Sequence, residues 1–350
     1  MINIPLLSEI CSIPGAPGYE QKIRSYLLDK VSAHADEVKT DAMGNVIAIL
    51  KGSAGSKKIM VAAHMDEIAY IVTHIDDEGF IRFHTLGGFD PKTLTAQRVI
   101  IHGLKDVKGV MGSKPIHQMT ADERTKAPKI SDYFIDTGLS KSEVELLIGV
   151  GDPITRESSL EQLGQCVSSR SLDNRVSVYI LLQILEKLAA NRPAYDLYAV
   201  FTVQEEVGIR GSITASSGIN PDFGIALDVT AACDTPGMVP HEFVTRLGKG
   251  TAIKVMDAGT ICDYRMVNFL KTTAKTHQIP FQMEILTGGG TDTAGIQRSA
   301  PGGAIAGAIS IPTRYLHQVI ETCHTDDIQS TIDLLAAAIG GMDQYDWNFK

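Results

Sequence analysis

The chain has 350 residues, with 44% apolar, 21% charged and 6% aromatic side chains, 32 glycines and a formal charge of −9. That length and apolar content give enough chain to bury a core in one large domain or two ordinary ones, and they exclude a disordered or fibrous polymer. The acidic balance without a Lys/Arg run argues against nucleic acid as a partner, and the longest uncharged apolar stretch near the C-terminus, 334–342, is too short to cross a bilayer.

Residues 1–5, Met1-Ile2-Asn3-Ile4-Pro5, lack the basic start and long apolar run of a secretory signal. Five scattered cysteines (Cys11, Cys166, Cys233, Cys262, Cys323) form no Cys-x-x-Cys, so a reducing, cytoplasmic location is expected. Residues 1–66 read as helix, helix, then strands. A Pro-Gly-Ala-Pro-Gly loop at 14–18 precedes a helix over 19–34, with Ile23, Tyr26, Leu27 and Val31 at helical spacing. Strand-like runs at 45–50 and 58–63 are joined by Gly52-Ser53-Ala54-Gly55-Ser56, which reads as a hairpin link.

Between about 67 and 166 the texture changes. Short β-rich runs at 68–75, 80–84, 98–102 and 107–111 are separated by turns, and only 141–148 is plainly helical. Strands at this spacing predict a small barrel or sandwich, with the polar segment 112–128 as a surface excursion. From 167 onward helices (175–190, 209–217, 264–277, 326–339) alternate with strands (196–203, 223–227, 281–286, 304–310). The expected fold class is therefore α/β: a mixed, largely parallel sheet flanked by helices, built from 1–66 and 167–350, with a small β-barrel-like domain, 67–166, inserted.

Residues able to bind metal cluster where apolar β-runs end. His64 and Asp66 follow the run 59–63, Glu205 and Glu206 follow 197–203, Asp228 follows 223–227, His317 comes shortly after 304–311, and Asp173 precedes a long helix. Carboxyl ends of strands form the ligand crevice in open α/β sheets. Each residue alone has a plainer role: His64 as a core or capping imidazole, Asp173 as a helix cap, Glu205-Glu206 as solvated carboxylates. Together they make one site the economical reading, since Asp228 closes a very apolar run and is expensive to bury without a partner. Two histidines and three carboxylates without a thiolate suit Zn, Co or Mn, and match two metals sharing a bridging carboxylate. Adjacent Glu205 and Glu206 can divide the work, one on metal and one moving a proton, because neighbours on extended backbone point apart.

His64-Met65-Asp66-Glu67, Ser171-Leu172-Asp173-Asn174-Arg175, Gln204-Glu205-Glu206-Val207-Gly208, Ala226-Leu227-Asp228, Gly288-Gly289-Gly290-Thr291-Asp292 and Arg314-Tyr315-Leu316-His317 stand in this order. The set resembles the M42 family of dinuclear metalloaminopeptidases, across both catalytic segments and the insert. The resemblance implies that Asp173 bridges two divalent ions, with zinc favoured and Co or Mn allowed. His64 and Asp228 would complete one ion and Glu206 and His317 the other. It further implies Glu205 as general acid/base, Asp66 orienting His64, and a metal-bound hydroxide releasing N-terminal residues from short peptides. The insert would be a dimerisation domain, with dimers assembling into a dodecamer. Gly288-Gly289-Gly290 reads either as a plain loop or as backbone approaching substrate. Leu247-Gly248-Lys249-Gly250 reads equally as a solvated turn. Rival functions are a deacylase or dipeptidase/carboxypeptidase on the same scaffold, a glycosidase, and a non-catalytic scaffold. Arg314 and His241 are the candidate cations for an acidic first residue, without a spacing that places either there.

Overall fold

The computed structural model describes residues 2–55 and 57–349. Met1, Ser56 and Lys350, which belong to the expected N-terminal start, the 52–56 link and the C-terminal end, lie outside the described residues.

The centre of the molecule is an 11-stranded mixed sheet. Four strands, Asp196–Thr202, Lys58–His64, Phe223–Ala231 and Ile305–Arg314, lie side by side and parallel. Val46–Leu50 flanks them antiparallel on one side, and Thr251–Met256 and Glu321–His324 pair antiparallel with Ile305–Arg314 on the other. The central strands read as near-continuous apolar runs because both faces are covered. Ile59, Val61 and Ala63 face a core shared with Leu7, Ile23, Val176, Met266 and Ile328, which come from five helices on one side. Met60 and Ala62 face the other side, against Ala215 and Ile219 of helix Arg210–Ile219 and Ile296 of helix Asp292–Ser299. That second layer sits close: a Cβ on Gly224 would lie 2.2 Å from Cγ2 of Ile296, so only glycine fits there.

The hairpin expected between the 45–50 and 58–63 runs is not formed. Asp196–Thr202 lies between them, antiparallel to Val46–Leu50 and parallel to Lys58–His64. The link instead runs along the 193–195 turn, with the Ser53 amide donating to the Pro193 carbonyl (2.9 Å) and the Ala54 amide to that of Ala194 (2.8 Å). Both flanking strands are buried, so a third apolar strand between them hides more surface than a two-strand hairpin would. Gly52 permits the close pass, since its Cβ would sit 2.4 Å from the Ala194 oxygen.

The insert closes as a barrel in the order Ala69–Ile75, Ile81–Leu86, Tyr133–Asp136, Asp106–Ser113, Arg98–His102, Pro153–Arg156. Alternate residues fill it, among them Tyr70, Val72, Val99, Ile101, Met111, Ile135 and Ile154. The 112–128 segment begins as the end of a barrel strand, then is mostly exposed and carries a short helix, Ala121–Thr125, closed by a Thr120/Glu123 capping box. The five cysteines are unbonded, and Cys11, Cys262 and Cys323 are buried. No described helix is long and apolar enough to cross a membrane.

Candidate metal centre

Five chain segments deliver their side chains to one cavity at the carboxyl edge of the parallel strands. His64 ends Lys58–His64, and register places it beside Thr202, just before Glu205 and Glu206. Asp228 projects from within Phe223–Ala231, which continues four residues past the expected end of that strand. Asp173 lies where helix Leu172–Ala190 begins; its backbone and that of Asn174 are not helical, the peptide between them is cis, and no side-chain cap is made. The helix-cap reading of Asp173 therefore does not hold. His317 sits in a turn after Ile305–Arg314, in which Tyr315 and His317 both take positive φ (63° and 57°).

The Asp173 carboxylate faces both ways. Its Oδ1 is 3.2 Å from His64 Nε2 and its Oδ2 is 3.3 Å from His317 Nε2. Asp228 Oδ1 lies 3.7 Å from His64 Nε2, and Glu206 Oε2 lies 3.4 Å from His317 Nε2. Two groups result, His64–Asp173–Asp228 and Asp173–Glu206–His317, each with ligand atoms within 4.8 Å of one another and sharing Asp173. Glu205 stands apart from both, with Oε2 4.0 Å from His64 Nε2. The Asp66 carboxylate accepts the main-chain amides of Glu205 (3.0 Å) and Glu206 (3.1 Å). It lies 3.6 Å from His64 Nδ1, and the nearer partner of that nitrogen is the Asp66 carbonyl oxygen at 3.1 Å.

Packing so many acids together perturbs them. Burial pushes Glu205 well above the usual carboxylate range, Glu206 up to about 8 and Asp228 up to about 6. Burial works against a charged His64 and His317, yet the adjoining carboxylates, Asp173 foremost, hold both imidazoles above their ordinary value. Asp173, despite burial, is held low by the two imidazoles. The donor set is oxygen and nitrogen only, and Glu206 Oε1 is buried with no hydrogen-bond partner. A divalent cation on each side of Asp173 fits this set: it meets the orphan oxygen and balances the crowded charge.

The surrounding cavity is about 520 Å³ and is walled by Ile209, Thr230, Lys254, Leu286, Gly288, Gly289, Gly290 and Leu316. The glycine run thus faces the site. Arg314 does not line it, because its guanidinium pairs with Asp234 at 2.7 and 2.8 Å, and His241 is exposed elsewhere. The cation in the wall is Lys254, bonded to Glu284 and 3.6 Å from Asp257, all buried. The Leu247–Gly250 turn is structural, since Asp327 accepts the amides of Gly248 and Gly250 at 2.7 Å each. Sequence reasoning also missed Glu321, whose carboxylate accepts the Asp173 and His317 amides. An acid four residues past His317 gives no signal until the strand Glu321–His324 is known.

A family model described as M42 glutamyl aminopeptidase matches residues 44–334. The chain belongs to the M42 peptidase family. Similar proteins include a putative aminopeptidase of Acetivibrio thermocellus, 40% identical over 95% of this chain and 97% of its own. A lysyl aminopeptidase of Pyrococcus furiosus is 36% identical over 97% of each chain. Among solved structures, the Pyrococcus horikoshii TET1 peptidase, described as assembling into a tetrahedron or a large octahedral shell, superposes with a TM-score of 0.85. It is 32% identical over 95% of this chain and 98% of its own. Membership makes the chain a peptide hydrolase of the aminopeptidase type.

Proposed function

We propose that this M42 chain is a dinuclear metalloaminopeptidase releasing N-terminal residues from short peptides. The observation that carries this is the Asp173 carboxylate, one oxygen toward His64 and the other toward His317, with Asp228 and Glu206 completing the two groups. His64, Asp173 and Asp228 would hold one divalent ion, and Asp173, Glu206 and His317 the other; zinc, cobalt and manganese all suit these donors. When bound, such a pair supplies Lewis-acid chemistry, acidifying a water and polarising the carbonyl under attack.

The chain's own residues do the rest. Glu205, outside both ligand groups, takes the proton from the attacking water and hands it to the departing amine. Asp66 fixes the backbone on which Glu205 and Glu206 stand, so that Glu206 is held toward His317 and Glu205 beside His64. The free α-amine of the substrate would be recognised beside the metals, which makes hydrolysis an end-specific reaction and disfavours the N-acylated substrates of a deacylase. Its side chain enters the cavity walled by Lys254, Leu286 and the 288–290 glycines.

The segments 1–66 and 167–350 act as the catalytic domain, and 67–166 as a dimerisation domain whose dimers build a dodecameric cytoplasmic shell. The shell-forming TET1 relative supports the assembly. A panel of aminoacyl amides and their N-acetyl derivatives, assayed on chelator-stripped protein reloaded with each metal, tests the activity. Turnover of free-amine substrates alone, dependent on added metal, is expected. Equal turnover of the N-acetyl series, or activity that survives chelation, refutes it.

A further inference from the structure

The two ligand groups differ in how firmly their backbone is held. His64 and Asp228 stand within central strands and are each held by ladder pairing, His64 with Thr202 and Asp228 with Ser310. His317 stands in a turn with two non-glycine residues at positive φ, and its side chain is 42% exposed. A turn of that kind needs an external restraint to present an imidazole in one place.

Glu321 supplies one. It is fully buried; its Oε2 accepts the Asp173 amide at 2.8 Å and its Oε1 accepts the His317 amide at 3.3 Å. One carboxylate thus ties together the main chain of two ligands from separate segments. Glu321 is itself fixed by strand pairing opposite Ser169, and its carbonyl accepts from Ser168 Oγ at 3.0 Å. Arg156, from the barrel strand Pro153–Arg156, adds a second restraint, since its guanidinium donates to the carbonyl of Gln318, the residue after His317. Arg156 is 1% exposed and lies 5.9 Å from the Phe89 ring. The barrel loop also passes close to the imidazole: a Cβ on Gly88 would lie 3.3 Å from His317 Nδ1.

We propose that Glu321 and Arg156 are positioning residues that clamp the His317 turn, so that affinity for the ion held by Asp173, Glu206 and His317 depends on them more strongly than affinity for the ion held by His64, Asp173 and Asp228, which Glu321 reaches only through the Asp173 amide. This rests on the dinuclear reading above. Glu321→Gln keeps shape and reach but offers one acceptor oxygen and one NH2 to two facing N–H donors, so one amide loses its partner.

The test titrates cobalt(II) into full-length, chelator-stripped protein by calorimetry, with bound metal counted by elemental analysis. Wild type is expected to bind two ions. Glu321→Gln is expected to weaken one constant roughly 10- to 100-fold, the usual effect of losing a group that holds a ligand in place, and the other, reached only through Asp173, by clearly less. In a Glu206→Gln background, where that half is already disabled, adding Glu321→Gln is expected to lower the remaining constant only by that smaller amount. Arg156→Met, which frees the Gln318 carbonyl and leaves Glu321 in place, is expected to weaken the same constant less. Both constants unchanged, or both weakened equally, overturns the clamp. If Glu321→Gln does not fold by circular dichroism, Arg156→Met decides alone: a selective loss supports the clamp and unchanged constants overturn it. Wild type binding fewer than two ions refutes the dinuclear reading itself, and the clamp with it, before any variant is read.

Discussion

Replacing Glu205 with glutamine separates proton transfer from metal binding. The Glu205 carboxylate lies 4.0 Å from His64 Nε2, against 3.2 Å for Asp173 and 3.7 Å for Asp228, and it belongs to neither ligand group. Glutamine keeps its volume, and the backbone stays where Asp66 holds it, because that bond is made by the Glu205 amide. The change therefore removes a proton acceptor and little else. A positioned general acid or base contributes about 10²- to 10⁴-fold, and at about 1.36 kcal/mol per decade this is about 2.7–5.4 kcal/mol of barrier. The expected result is a fall in kcat of that size, with KM and bound metal near wild type. The assay is initial rates on aminoacyl amides with metal content measured on the same samples. A Glu205→Gln enzyme that retains wild-type kcat refutes the role, and one that loses an ion, as Glu206→Gln is expected to, makes Glu205 a ligand instead.

Three further outcomes follow from the same geometry. Asp66→Asn leaves one of the two amides of Glu205 and Glu206 facing an NH2 group with no acceptor, which costs about 1.5–3 kcal/mol of stability and lowers kcat by shifting both side chains; urea melts and rates together check it, and a variant unchanged in both sinks it. Chelator-stripped protein should lose stability as pH rises from about 5 to about 9. Glu206 is pushed from 4.5 up to about 8 and His317 from 6.5 up to about 10, so through that window the folded state holds protons the unfolded chain has released. Thermal melts across pH should show the slope, and saturating zinc, which favours the deprotonated ligands, should flatten or reverse it; a slope unchanged by zinc contradicts the assignment. Gly224→Ala forces a methyl into Ile296 and should cost about 1–3 kcal/mol, read as a lower Tm with kcat at room temperature retained.

How much of this was legible depended on how local each signal is. The central strands announced themselves because burial on both faces demands unbroken apolar runs such as 59–63 and 223–227. Tyr133–Asp136, Pro153–Arg156 and Glu321–His324 did not, being four residues each and defined by their partners. Thr251–Met256 was hidden by Lys254, a charged residue at a buried position, made tolerable by Glu284. The hairpin misreading has the same origin. Sequence adjacency suggested pairing of 45–50 with 58–63, while the pairing formed was set by a strand 138 residues further along, with Asp196 opposite Lys58. The ligand candidates were visible because an acid or imidazole at the end of an apolar strand is chemically out of place. Glu321 and Arg156 were invisible because their role consists of contacts to other segments' backbone.

The same contrast explains where the acidic excess of the chain goes. Asp66, Asp173, Glu206 and Asp228 are drawn to one edge of the sheet because parallel strands end together there, each bringing its side chain from a different part of the chain. Asp66 spends its charge on two backbone amides and Glu321 does likewise, so these two acids are satisfied by the protein itself. Asp173 and Glu206 are not: their oxygens point at imidazoles also wanted as ligands, and one Glu206 oxygen has no partner. The division between acids that hold backbone and acids that face each other across Asp173 is what separates the support of the site from the site. A cation supplied by the chain, such as Lys254, cannot serve in its place, because it is already engaged with Glu284. The charge that the fold leaves unbalanced is thus confined to the two groups sharing Asp173, each of which offers one imidazole and two carboxylates to a small cation.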